Sequence, residues 1–186
     1  MEWFFIALAI IVVLIIVWAI AQYNGLIALR NLVQESWRQI DVELQRRHDL
    51  IPNLVETVKG YAKHERETLE AVVQARSVAV EPGSSHAQQA EQENVLSQAL
   101  GRLFALAENY PDLKANENFL ELQRELADTE DRLAASRRIY NANVRAMNTK
   151  VETFPTSVIA GMFSITREDY FEIQDAAVRQ SPNVQF

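Results

Sequence analysis

The sequence predicts an all-α membrane protein. It reads as a single N-terminal transmembrane helix, then an antiparallel (up-and-down) four-helix-bundle-like domain, then an extended C-terminal arm. Three observations predict this. The stretch Trp3 to Ala21, WFFIALAIIVVLIIVWAIA, carries no charge. Apolar residues then recur at helical spacing through most of the remaining chain. Glycine and proline number only five each, so each one is an informative boundary mark.

At ~1.5 Å per residue the uncharged stretch makes a helix of roughly 30 Å, the thickness of one bilayer core. Thirteen of its side chains are Leu, Ile, Val or Phe. At roughly −0.3 to −0.6 kcal/mol each they favour insertion by about 4–8 kcal/mol. The many β-branched residues are no obstacle, because in lipid only a helix satisfies the backbone of a single span. Trp3 sits at one end and Trp18 and Tyr23 near the other, where interfacial aromatics belong. Residues 3–22 are thus expected to contact the lipid bilayer. Ala19-Ile20-Ala21 resembles a signal-peptide cleavage site. However, Met1-Glu2 supplies no Lys or Arg, and the apolar run exceeds the ~7–15 residues of a signal sequence. The expectation is an uncleaved anchor.

Residues 1–24 form the anchor and its interface, 25–155 a helical bundle and 156–186 the arm. The bundle helices fall at about 25–50, 53–80, 86–109 and 116–154. Gly25 is placed to allow a bend between anchor and domain. The first stripe is Leu26, Leu29, Val33, Trp37, Ile40 and Leu44, with charged residues between. Pro52 lacks an N–H and crowds the carbonyl of His48, at a cost of about 3 kcal/mol inside a helix. A kink and a turn both fit; two helices meeting near Leu50 to Asn53 give the more even lengths. Glu81-Pro82-Gly83-Ser84-Ser85 is a loop. The third helix carries Leu96, Leu100, Leu103 and Leu106, and its Gly101 suggests a close helix–helix approach. In the fourth, Phe119, Leu126, Leu133, Tyr140, Met147 and Phe154 recur every seven residues, as in coiled-coil-like packing. Asn118 or Asn116 would cap its start. The arm is apolar and aromatic without a sustained period. It reads as extended, with one short helix near Arg167 to Ala176, packed on the bundle or on a neighbouring subunit.

The formal net charge of −7 argues against a nucleic-acid surface and against a general polybasic attraction to anionic lipid. Cysteine is absent, which removes disulfides, thiolate catalysis and cysteine-based metal sites. His64-Glu65 begins like a zincin helix, but Thr68 stands where the second histidine belongs. His48 lies ~24 Å away on a straight helix. A metal shared by the two histidines would require a turn at Pro52. Solvent-facing or capping histidines are the plainer reading. No Gly-rich phosphate loop, nucleophile elbow or paired catalytic carboxylate is recognisable. No catalytic, cofactor or metal residue is therefore assigned, and an enzyme is the least favoured class.

The polar middle of the fourth helix is the candidate site. Thr129, Glu130, Ser136 and Arg137 share one face across two turns. They can form a buried polar layer that fixes helix register, a ligand site, or a solvated stripe. Arg46-Arg47 and Arg137-Arg138 read as ordinary surface charge, offset by Glu43, Asp49 and Asp131.

Three stretches resemble the LemA family of bacterial membrane proteins: RRHDLIPNLVETVKGYAKHE from Arg46, ALGRLFALAENYPDLKANENFLELQ from Ala99 and TEDRLAASRRIYNANVRAMNTKVETFP from Thr129. The resemblance covers essentially the whole chain. It implies a helical bundle behind one membrane anchor, with no established enzymatic activity and no known cofactor. The family includes a relative implicated in magnetosome formation, which by analogy implies membrane organisation.

The expected function is a membrane-anchored helical scaffold or assembly protein working through protein–protein contacts. The alternative is an adaptor for a membrane protease or an envelope quality-control system. A homo-oligomer is expected, because anchoring concentrates the domain in two dimensions and the arm can cross to a neighbour. The expected location is the bacterial inner membrane. Arg30 and Arg38 follow the span while Met1-Glu2 precedes it, so the bias puts the bundle in the cytoplasm and the short N-terminus outside. A periplasmic or extracellular bundle is the opposite alternative.

Overall fold

The computed structural model of the chain describes residues 1–81 and 85–172. Among the described residues there are six helices and no strand. They are α1 (Glu2–Tyr61), α2 (Arg66–Ala79), α3 (His86–Ala107), α4 (Pro111–Lys114), α5 (Glu117–Glu152) and α6 (Thr156–Met162). Residues 82–84 of the expected loop and everything after Glu172, including Phe186, lie outside the described residues.

The first helix is the axis of the molecule. Its 60 residues run without a break from the span to the far end of the bundle, about 90 Å at the ordinary rise. It carries the one stretch long and apolar enough to cross a membrane among the described residues. Two sequence expectations fail here. The chain does not bend at Gly25, which lies inside α1 beneath the ammonium group of Lys150. Nor does it divide near Pro52: α1 passes through the proline and ends at Tyr61. The carbonyl that Pro52 leaves without its helical donor, that of His48, accepts a hydrogen bond from Arg76 Nε at 2.8 Å. The turn falls instead at Ala62 to Glu65.

Local chemistry sets the other boundaries. Ser85 and Gln88 form a reciprocal capping box at the start of α3. Asn116 caps α5 by accepting from the Phe119 amide at 3.0 Å, so Asn116 rather than Asn118 fills that position. Pro111 occupies the first turn of α4, where its missing N–H is harmless. Gly101 has no atom within 4 Å of the place a Cβ would take. A close helix approach therefore does not explain it.

The long antiparallel partner of α1 is α5, while α2 pairs chiefly with α3. Two apolar cores result. Near the span, Leu26, Val33, Ile40 and Leu44 of α1 meet Leu133, Tyr140, Val144 and Met147 of α5, with Ile159, Ala160 and Phe171. At the far end, Ile51, Leu54 and Val58 meet Leu69 and Val72 of α2, Leu96 and Leu103 of α3, Leu113, Phe119 and Leu126. The seven-residue repeat of α5 is buried from Phe119 through Met147 and breaks at Phe154, which is exposed. The arm opens with α6 rather than with an extended segment. Residues 163–172 then run back along the bundle, without a helix between Arg167 and Glu172.

Candidate functional site

Between the two cores lies a polar layer, drawn from three helices. On α1 it falls between Leu44 and Ile51, on α3 between Ala90 and Leu96, on α5 between Leu126 and Leu133. Arg47, His48, Glu93 and Thr129 occupy it, and all are buried. Arg47 is only 1% exposed and Glu93 not at all. Arg47 Nη1 donates to Glu93 Oε2 at 2.7 Å, and its Nη2 donates to Ser97 Oγ at 2.7 Å and to Glu130 Oε1 at 2.5 Å. The second carboxylate oxygen of Glu93 meets His48 Nε2 at 2.7 Å. A carboxylate only accepts, so His48 carries a proton on Nε2. Arg47 Nε and Glu43 Oε2, four residues apart on α1, are buried without a hydrogen-bond partner among the described residues.

The residues singled out by sequence are divided by the fold. Thr129 is in the layer, but its hydroxyl bonds back to the Glu125 carbonyl at 2.8 Å. Glu130 sits at the rim, half exposed, and closes the layer over Arg47. Ser136 and Arg137 are half-buried, about 10 Å along α5 from Glu130, beside the span-proximal core. Two readings are corrected. Arg47 is not surface charge, and His48 is not solvent-facing; only Arg46 and His64 are exposed. The signal that would have found them is their register. Arg47 and His48 continue the stripe Val33, Ile40, Leu44 toward Ile51, at positions that face the core whatever their polarity.

A cleft of about 280 Å³ reaches this layer, lined by Arg47, Ser97, Gly101, Phe104, Gln123 and Glu130 among others. Gly101 leaves its mouth open. A larger groove of about 1110 Å³ lies elsewhere, between the end of α1 and α2, where Lys59, Lys63 and Arg66 alternate with Glu56, Glu67 and Glu70. Its balanced charge gives it no preference for an ionic ligand. Among the described residues no group of three or more His, Asp or Glu side chains is arranged to hold a metal. Glu93, Ser97 and Glu130 accept from Arg47, and Glu93 also meets His48, so the layer joins three helices through side-chain hydrogen bonds.

A second cluster fastens the arm. The Trp37 and His86 rings stack with centroids 3.6 Å apart, and Tyr140 and Phe171 meet Trp37 edge-on. Tyr140 donates to the Asp169 carbonyl at 2.8 Å and so accepts from His86 Nδ1, 2.7 Å away. Burial lowers the His86 pKa, and the Asp169 carboxylate opposes the shift. Burial, then the charges of Glu168 and Asp169, raises that of Tyr140. Asn141 and Asn148, seven residues apart on α5, each grip the arm backbone twice. Asn141 bonds the amide and carbonyl of Phe171 and Asn148 those of Glu168, at 2.9–3.0 Å.

At the membrane end, Trp3 and Trp18 lie on the free surface of α1 and Tyr23 is half-buried against Phe163. Of the arm expected to pack on the bundle or on a neighbouring subunit, Phe171 is fully buried, whereas Phe163 is 55% exposed.

Comparison with known proteins finds relatives over most of the chain. Protein LemA of Metamycoplasma hominis is 26% identical, over 84% of this chain and 71% of the relative. Magnetosome protein MamQ 2 of Paramagnetospirillum magneticum is also 26% identical, over 91% of this chain and 73% of the relative. MamQ of Magnetospirillum gryphiswaldense is 24% identical, over 83% and 66%. The LemA family model matches residues 36–186, from the first bundle turns of α1 to the last residue, and the chain belongs to the LemA family.

Proposed function

We propose that this protein is a membrane-anchored helical scaffold or assembly protein, acting through protein–protein contacts in membrane organisation. The observation that carries the reading is the continuity of α1. One helix is both span and bundle strut, so the domain stands on its anchor without a hinge at Gly25. Packing of α5 along that strut and the polar lock at mid-height favour a stiff body that presents surfaces. The likeness to proteins named for the magnetosome supports a role in membrane organisation. In this reading the protein has no catalytic step, forms a homo-oligomer and keeps its bundle in the cytoplasm. Crosslinking in intact cells, followed by detergent extraction and sizing, tests it. An assembly dominated by copies of this chain is expected. Stoichiometric recovery of one foreign protein would make it an adaptor instead, and a monomer without crosslinks would end the scaffold reading.

A further inference from the structure

The membrane end of the bundle carries an apolar elbow that the protein itself does not cover. From Thr153 to Thr166 there is no charged residue. The inner side of α6, Thr156, Ile159 and Ala160, is buried on the bundle. Its outer side is apolar too: Val158 is 53% exposed, Met162 72%, Phe163 55%, and Phe154 just before the helix 79%. A helix that is apolar on both sides requires two apolar surroundings, and the bundle supplies one.

The contacts of α6 place the other. Thr156 Oγ1 bonds Gln22 at 3.3 Å, and the Phe163 ring lies 4.5 Å from that of Tyr23. Gln22 and Tyr23 directly follow the uncharged run that ends at Ala21. The elbow is therefore level with the end of the span and beside it. The charges that bracket it, Glu152 and Arg167, pair at 3.0 Å. Lys150 lies over Gly25, about 6 Å beyond Ala21 along the helix, the depth of lipid headgroups.

We propose that Phe154, Val158, Met162 and Phe163 insert into the headgroup–acyl boundary of the leaflet from which the bundle emerges, making a second, interfacial membrane contact beside the span. An apolar face buried about 5–10 Å into that boundary is the ordinary mode of an interfacial helix. With span and elbow both in lipid, α1 is held in rotation as well as depth. The inference is independent of which side of the membrane holds the bundle.

The chain lacks cysteine, so single-cysteine variants report without background. Val158→Cys, Met162→Cys and the exposed control Glu70→Cys on α2 would be labelled with an environment-sensitive dye in the full-length protein. Each is then placed in phosphatidylcholine–phosphatidylglycerol nanodiscs with and without lipid spin-labelled near the headgroup. The expected result is blue-shifted emission at 158 and 162, quenched at least about twofold more by spin-labelled lipid than at 70, as for a probe at the boundary depth. Water-like emission without excess quenching would overturn the proposal. Blue-shifted emission that spin-labelled lipid does not quench would overturn it as well, and would assign the elbow to a contact with a second copy.

Discussion

Arg76 Nε donates a 2.8 Å hydrogen bond to the carbonyl oxygen of His48. That carbonyl lies four residues before Pro52, which has no N–H to offer it. A side chain on α2 thus replaces the missing rung of the α1 ladder, and α1 continues. The same bond ties α2 to α1 at the height of the polar layer. Removing Arg76 should strand the carbonyl at a cost of about 1–3 kcal/mol. Pro52→Ala restores the rung, so Arg76→Ala should cost much less in that background. A double-mutant cycle by chemical denaturation checks this, and additive effects would mean that Arg76 does not serve as the missing donor.

This relationship shows where sequence reading stops. The cost of Pro52 and the carbonyl it orphans are both legible locally, and they suggest a break. The donor that prevents the break lies 28 residues from His48, and no local pattern joins Arg76 to it. The heptad of α5 was legible because periodicity and burial coincide from Phe119 to Met147. Thr129 and Glu130 stand out because they are polar in the middle of that otherwise apolar stripe. Arg47 did not, because a charged residue on a helix is solvated by default and its partner Glu93 is 46 residues away. Phe154 and Phe163 misled in the opposite sense. Aromatic density implies cover, and the sequence does not say whether protein or lipid provides it.

The polar layer makes a second prediction. Glu93 accepts from Arg47 and His48 at once. Glu93→Ala should destabilise by about 3–5 kcal/mol, because it leaves the buried guanidinium without that carboxylate. Replacing Arg47, His48 and Glu93 together with apolar residues of similar volume should recover most of that loss, since buried ion pairs gain little over good packing. Recovered stability with scrambled helix contacts, read by cysteine crosslinking between α1 and α3, would mark the layer as a register device. A loss under about 1 kcal/mol for Glu93→Ala, typical of an exposed pair, would mean the layer is solvated.

His86 gives the fold a pH dependence of definite sign. Burial holds its folded-state pKa below the ordinary 6.5. The unfolded chain therefore binds the proton first as pH falls. The contribution is fully present above about 6.5 and is lost as pH drops toward the folded-state value. Its Nδ1–H bond to Tyr140 survives protonation, so the loss comes from placing the charge where burial removes it from water. Denaturation midpoints measured near pH 8 and near pH 5 should fall more for the wild type than for His86→Gln. Equal falls would assign the acid sensitivity to other groups.

The last prediction fixes the side of the membrane. Arg30 and Arg38 follow the span within the distance over which basic residues set orientation. Nearby acids such as Glu35 and Asp41 count little in that rule. The expected topology is a cytoplasmic bundle. Glu70, exposed on α2, is a suitable reporter. Glu70→Cys would be the only thiol in the chain. A membrane-impermeant maleimide should label it only after lysis of intact cells. Labelling before lysis would put the bundle outside, and partners would then have to be sought in the envelope.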